Sequence, residues 1–595
     1  MPPQHTATVP AQPSPADRAG PPPGPAYRSE ATRLLCAGTY LDADFRDAVI
    51  DELYVHEERV TAPSSGTDTA RVLAHALRAR RLEAGWAAAV LLLCVLGVVL
   101  GGYAFALFLV PCVLLTLAAR LRGGVPGPFR TDHPGSHDVS RFRRLVAGYL
   151  RLTGWWLMAL YLVTVLGAAF DDDGREPGYD AGYGSTSSGG DLSVPEIGTG
   201  AAWAVLLIPP VLAACVALHR RQIAAVLGGD LRPDVFTAPD RADEAERTAG
   251  RRFARIAALI RREQHSPLVL YHVQHPFLGA GTPQEAWTLA VELRPQTGRK
   301  QIPLDNREIL RRIEPLVRAL AVPAGGDGER ADRVRDRLRR LEIDECVFVP
   351  VTGLPLRSAA PLEPRHFRAE RERAVEEGGE HRRHFLRIRV GAWEQEVVTT
   401  VFVRVHTQGR LLVLEIAPHV LRPVNPDFHT ADRVAETYRR TGPAGRVLWA
   451  LGRTPAFTVH SLLHTTRGVA LLWRMWTGGN AAAPADGPWC SVRELGGDQA
   501  ASTFQEMDVS RYLKSVQDRV ANGVREALDA AGWQTGEFAQ QVVNVSGVYV
   551  GSAENSAIAV GSHIDLENKH TTPAATTAAT ATTAATATGG SDGDG

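Results

Sequence analysis

Residues 86–119 read WAAAVLLLCVLGVVLGGYAFALFLVPCVLLTLAA, a stretch without one Asp, Glu, Lys or Arg. A helix crosses the hydrocarbon core of a bilayer in about 20 residues, so this run is too long for one ordinary span. Gly101-Gly102 falls near its middle and suits a tight hairpin between two short helices. Arg78, Arg80 and Arg81 precede the run, and Arg120 and Arg122 follow it. Basic residues favour the cytoplasmic side, so both ends of the hairpin are expected inside. A single strongly tilted helix would leave one of these clusters outside.

Outward from this hairpin the same logic repeats. Trp155 to Phe170 is a third span, preceded by Arg141, Arg143, Arg144 and Arg151, and it ends at Asp171-Asp172-Asp173. The Gly/Ser-rich loop that follows carries Glu176, Asp180, Asp191 and Glu196 against Arg175, which makes residues 171–200 the external loop. Ala201 to Leu218 is the fourth span; it contains Pro209-Pro210 and closes on His219-Arg220-Arg221. Residues 85–221 therefore read as a four-span region of a bacterial plasma-membrane protein with both termini cytoplasmic. The spans hold no ionisable residue of the kind that marks an ion pathway. Pro209-Pro210 reads as a kink in an anchoring helix rather than a broken transporter helix.

The rest of the composition narrows the class. Sixty-five basic side chains balance 65 acidic ones, and that neutrality argues against a general nucleic-acid binder, which needs a basic surplus. The six cysteines, at 36, 94, 112, 215, 346 and 490, form no metal-type spacing and read as reduced thiols. Residues 1–30, rich in Pro and Ala, predict a disordered arm. Residues 31–84 predict a cytosolic helical unit, with Phe45, Val49, Ile50, Leu53 and Tyr54 on one face, a turn at 63–66 and a second helix from Asp68 to Arg81.

Residues 222–541 predict a cytosolic α+β domain. Its expected helices are 244–262, 306–320, 331–341 and 509–531, and its expected strands are 268–273, 286–293 and 345–351. The clearest hairpin joins Val397–His406 to Leu411–Ile416 through a Thr-Gln-Gly-Arg turn. Val401 and Val403 alternate with Thr400 and Arg404, which predicts one buried face. Arg446 to Trp476 is apolar but carries too many polar residues for a span, and reads as a membrane-surface or groove-packed segment. Residues 565–595 form an Ala/Thr-rich tail expected to be disordered. The fold class is thus a membrane protein: a four-helix transmembrane region plus a cytosolic α+β domain, with disordered termini.

Leu35-Cys36-Ala37-Gly38-Thr39-Tyr40-Leu41-Asp42, Ala62-Pro63-Ser64, the segment from Ser266 to Gly281, and Ser491-Val492-Arg493-Glu494 resemble a family of actinobacterial multi-span membrane proteins. The resemblance covers most of the chain. It implies this architecture and supplies no catalytic residues.

Signals for chemistry are weak. His272-x-x-His275 and His381-x-x-His384 lack a third or fourth ligand at a diagnostic distance, and His460 with His464 lacks the glutamate of HExxH, so no metal site and no cofactor is expected. Gly279-Ala280-Gly281-Thr282 follows a strand, but no Lys comes next, so it reads as a surface turn rather than a phosphate loop. No nucleophile elbow or kinase set is present.

The most distinctive segment is 542–564. Val548-Tyr549-Val550-Gly551-Ser552 recurs ten residues later as Ile558-Ala559-Val560-Gly561-Ser562. Such arcs can stack between chains, with ladders of Val, Ile and Asn555 in a cross-β zipper. Asn544 to Gly551 resembles the RIP homotypic interaction motif and related bacterial amyloid signalling motifs, although Tyr549 stands where those motifs usually carry Gln. That resemblance implies recruitment of a partner with a similar motif. The expected partner-binding residues are Val548, Tyr549, Val550, Gly551, Asn555, Ile558, Val560 and Gly561.

The favoured function is a non-enzymatic membrane signalling or scaffold protein, with the membrane and a second copy or motif-bearing protein as partners and no nucleic acid. The alternative is a small-molecule transporter or channel component with regulatory cytosolic domains. The topology has a direct test in intact cells. Cysteine placed at Ser187 should label from outside, while Ser140→Cys and Ser510→Cys should be protected; the reverse pattern overturns the topology.

Overall fold

The computed structural model describes residues 25–122, 141–170, 199–238, 243–321, 338, 340–376, 379, 381–392, 396–477, 482–497 and 502–546. Side-chain caps start the first helices. Ser29 accepts the Thr32 N–H to open α1 (Glu30–Leu41), and Asp42 accepts those of Asp44 and Phe45 to open α2 (Ala43–Ile50). Asp68 does the same for α3 (Thr69–Gly102), which runs unbroken through the expected helix of 68–81 and the first apolar stretch.

At Gly102 (φ 53, ψ −135) the chain turns into α4 (Ala104–Leu121). The two helices fold back on each other. A Cβ on Gly97 would stand 2.7 Å from the Phe105 ring, and Cys94 shares an apolar cluster with Cys112. The expected hairpin is therefore present. α5 (Arg141–Phe170) and α6 (Thr199–Gly228) complete the bundle, and α6 stays helical through Pro209-Pro210 and past Arg221. Glycine permits the close contacts: a Cβ on Gly101 would lie 2.0 Å from Val205 Cγ2.

α3, α4, α5 and α6 are each long and apolar enough to cross a membrane. Val90, Phe105, Phe108, Tyr161, Val205 and Leu212 fill the space between them. Their outer faces leave Val99 73%, Leu92 69% and Val163 67% exposed, a distribution that suits hydrocarbon rather than water.

The first half of α3 is buried among α1, α2, the end of α6 and α7 (Gly250–Glu263), whose Phe253, Ile256 and Ile260 join Leu34, Leu35 and Leu73 in one core. The expected helix over 244–262 is in fact two, because Gly250 has φ 91.

Among the described residues seven strands follow: β1 (Leu268–Tyr271), β2 (Thr282–Pro283), β3 (Trp287–Glu292), β4 (Leu341–Pro350), β5 (Arg383–Ala392), β6 (Val397–Gln408) and β7 (Leu411–Leu421). Their order is β1-β4-β5-β6-β7-β2, with β3 also beside β7. Only β1 and β4 run parallel; β4 to β7 form an antiparallel meander. The turn from β6 to β7 has Gly409 at φ 62, where the hairpin was expected.

Two further expectations change. Of the helix expected over 331–341, most lies outside the described residues, and Leu341 begins β4, which is longer than the strand expected at 345–351. β6 is buried on both faces, Thr400 and Arg404 included, rather than on one.

Helices α8 (Asn306–Arg318) and α9 (Pro364–Glu376) cover one face, with Thr407 hydrogen-bonded to Asn306 and Val347 packed with Ala374. Beyond the sheet lie α10 (Ala431–Arg440), α11 (Pro443–Thr477), α12 (Thr503–Ala530) and α13 (Gly536–Ser546). α12 starts with a capping box between Ser502 and Gln505, and it packs on α8 and β6.

Val403 tests the sheet. It is 0% exposed, between Leu386 on β5 and Ile416 on β7. Val403→Asp would bury an unpaired charge and should cost about 3 kcal/mol or more. Thermal unfolding of the full chain in detergent reads this loss, and a wild-type melt would refute the strand assignment.

Candidate functional site

The loop after β1 returns across the open face of the sheet and sets Phe277 into an aromatic group. Its ring centroid lies 5.3 Å from that of Phe348, 4.9 Å from Phe402 and 4.7 Å from His419. Gly279 (φ 94) and Gly281 (φ 99) follow, and their N–H groups both donate to Glu494 Oε1 at 2.8 Å. The turn with phosphate-loop spacing is therefore an anion nest already filled by the chain's own carboxylate. Neither glycine tolerates a side chain, since a Cβ would come within 2.1 Å of Pro63 O at Gly279 and 2.2 Å of Val420 O at Gly281.

All four sequence segments that carry the family resemblance meet around this nest. Gly496, just past Glu494, presses so closely on Leu35 that a Cβ would lie 2.1 Å from Leu35 Cδ2. Ser64 donates its N–H to Gln264 O at 3.1 Å. Arg493 is fully buried and donates to Arg422 O at 2.8 Å and to Glu396 O. Nearby, Arg357 forks onto Glu263 at 2.8 and 2.6 Å, and Glu263 also accepts the Thr61 N–H at 2.8 Å.

Between the loop and the sheet is a cleft lined by Pro63, Phe277, Phe348, Arg387, Thr400 and Phe402. Its room is that of about one or two water molecules, too little for a metabolite. Arg387 Nε donates to Asp344 at 3.0 Å, which ties the cleft's only guanidinium to the neighbouring strand.

A second polar cluster lies in the helical core. His75, 0% exposed, joins Tyr40 Oη at 3.2 Å to Asp243 Oδ2 at 3.1 Å, and Arg71 Nε donates to the same oxygen at 2.7 Å. Burial pushes the Asp243 carboxyl up, but His75 and Arg71 hold it well below the usual carboxylate range. A Tyr-His-Asp chain has the connectivity of a proton relay. Here all three members are buried in the core, where the cluster ties α3 to the segment that carries Asp243.

The histidine pairs do not assemble ligand sets. His272 and His275 stack, with centroids 6.3 Å apart, and His272 also packs on Trp489 at 5.1 Å. His384 Nε2 lies 3.4 Å from Glu345, while His381 offers its carbonyl to Tyr271 Oη at 3.2 Å. Among the described residues, no group of three or more His, Cys, Asp or Glu side chains could hold a metal ion. Burial pushes the thiols of Cys346 and Cys490 up to about 12, so neither is a thiolate nucleophile near neutral pH.

Val548, Tyr549, Val550, Gly551, Asn555, Ile558, Val560 and Gly561 lie outside the described residues. The segment's opening residues, 542–546, form the end of α13 and are helical rather than extended. Residues 286–557 match the family model of an AbeC-like domain. That match begins at the β3 edge of the sheet, reaches into the repeat segment and leaves out α3 to α6. No curated protein and no solved structure matches the chain.

The sequence discloses the glycine turn and not its occupant, because nothing local to either segment links Gly279 and Gly281 to Glu494, 213 residues beyond Gly281. Glu494→Ala would strand two buried donors and should cost about 2–3 kcal/mol, whereas Glu494→Gln keeps an acceptor and should cost under about 1 kcal/mol. Burial holds the Glu494 carboxyl above its ordinary 4.5, despite the two N–H donors. A raised carboxyl contributes stability that is full below the unfolded-chain value and declines as pH rises through the folded one. Melting temperature of the full chain against pH should therefore show a decline in wild type that Glu494→Gln lacks; identical profiles would refute this assignment.

Proposed function

We propose that the chain is a non-enzymatic, membrane-anchored signalling scaffold. The four apolar helices hold it in a bacterial plasma membrane with both termini cytoplasmic. The sheet domain is a platform, and residues 542–564 recruit a second copy or a motif-bearing partner. The observation that carries this reading is the ten-residue recurrence of Val548–Ser552 as Ile558–Ser562. Each arc alternates β-branched residues and ends on glycine, the pattern that lets identical chains stack as a dry zipper. The AbeC-like match supports reading the first arc with the sheet domain, since it runs to residue 557.

The transporter alternative draws on Pro209-Pro210, and α6 stays helical through both. The apolar stretches 86–119, 155–170 and 201–218 carry no acidic or basic side chain.

Two differently tagged copies of the full chain, coexpressed and extracted in detergent, test the proposal. Each should capture the other, or a partner bearing the same motif. Val550→Asp combined with Val560→Asp should abolish capture, because a zipper would have to bury stacked like charges. Ser552→Ala, at the turn, should leave it intact. A wild-type chain that stays monomeric at high concentration and captures no motif-bearing partner removes the basis for recruitment.

A further inference from the structure

Helix α11 is built inside out. The side chains it turns toward α3 and α6 are small: Ala450, Thr454, Thr458 and Ser461 are all at most 5% exposed. Thr454 and Thr458 donate their hydroxyls to the carbonyls one turn back, at 2.8 and 2.9 Å, so neither is an unpaired donor on the close face. Large apolar side chains on another side of the helix are open: Leu448 is 70% exposed, Trp473 61% and Val469 60%. A helix on a water-soluble surface has the opposite arrangement.

A third line runs beside these two. Arg446, Arg453, His460, Arg467 and Arg474 recur at a constant interval of seven residues. Seven residues fall about 20° short of two full turns, so the five positions form one gently drifting ridge. At its ends the ridge faces the soluble side: Arg446 stacks on Tyr438 of α10 at 4.4 Å, and Arg474 pairs with Asp51 at 3.0 Å.

The height of α11 is fixed by its neighbours. Phe457 packs on His219 at 5.2 Å, Arg220 stacks on Trp449 at 3.8 Å, and Gly468 lies beside Arg80. His219, Arg220 and Arg80 stand where the apolar stretches of α3 and α6 give way to charge. The exposed apolar face of α11 is thus continuous with the outer surface of the bundle.

We propose that α11 lies in the headgroup region of the leaflet on the sheet domain's side. Its large apolar face enters the acyl chains, and the line of Arg446, Arg453 and Arg474 stands at the level of the lipid phosphates. The occupant of the exposed face is lipid. This inference rests on the four helices spanning a membrane, and its test separates the two.

Nitroxides are attached to one added cysteine at a time in the full chain on a Cys490→Ser background, whose five other native thiols are buried, reconstituted in phosphatidylethanolamine–phosphatidylglycerol vesicles. Leu448→Cys, Leu451→Cys and Val469→Cys probe α11, Val163→Cys on α5 is the lipid reference, and Lys514→Cys on α12 is the aqueous reference. The α11 labels should collide with oxygen as Val163→Cys does and with a nickel chelate several-fold less than Lys514→Cys does. Nickel access equal to that of Lys514→Cys, with Val163→Cys still in lipid, overturns the inference and leaves the spans standing. Exclusion of both reagents with dipolar broadening between copies also overturns it, since protein then covers the face. Aqueous behaviour at Val163→Cys as well would defeat the membrane reading and this inference with it.

Discussion

The ion pair between Arg71 and Asp243 forms only when stretches of chain far apart in sequence have already met. Both side chains are almost wholly buried, at 5% and 3% exposure, so each charge depends on the other and on the surrounding donors. Arg71 also donates to Tyr27 O at 2.7 Å and is stacked between the rings of Tyr27 and Phe236. A guanidinium held on every side fixes the rotation of α3 about its axis. The same helix then supplies Val90 and Cys94 to the apolar bundle, so the rotation set in the helical core also sets which side of α3 faces α4 and α6. The helical core and the apolar bundle share one geometric reference.

The glycine nest works in the same manner at the edge of the sheet. Glu494 is 213 residues from Gly281, and its carboxylate gives the loop a partner that no neighbouring residue could supply. Two donors aimed at one oxygen, with backbone carbonyls filling the space where side chains would stand, leave the loop one conformation. That conformation places Phe277 over the sheet and buries the second face of β6. Sequence pieces whose meaning is opaque one at a time become intelligible as parts of a single joint between the helical core and the sheet.

Periodicity and charge asymmetry made much of the architecture legible. The four apolar helices, the hairpin of β6 and β7 and the helix α12 all declare themselves through patterns internal to short windows. What escaped depended on distant partners. β5 was not foreseen because Arg387 and Arg389 interrupt its apolar alternation, yet Asp344 and Glu342 on β4 answer those charges across the ladder. Arg404, read as solvent-facing, pairs with Glu415 on β7 and is buried. Of the candidate site, the sequence disclosed the glycine turn but not the carboxylate within it. The recruiting role proposed for residues 548–561 is a reading of sequence alone.

α3 is a rod. Its 34 residues extend for about 50 Å without a hinge before Gly102. Stiffness of this kind couples angle to displacement: a change in tilt of about 10°, within the range seen for membrane helices, moves one end by about 9 Å relative to the other. Because Arg71 and His75 clamp the far end of the rod into the helical core, that core must swing with it. Any change in the tilt of α3 thus has a mechanical route, through leverage, to the position of everything packed around its first turns.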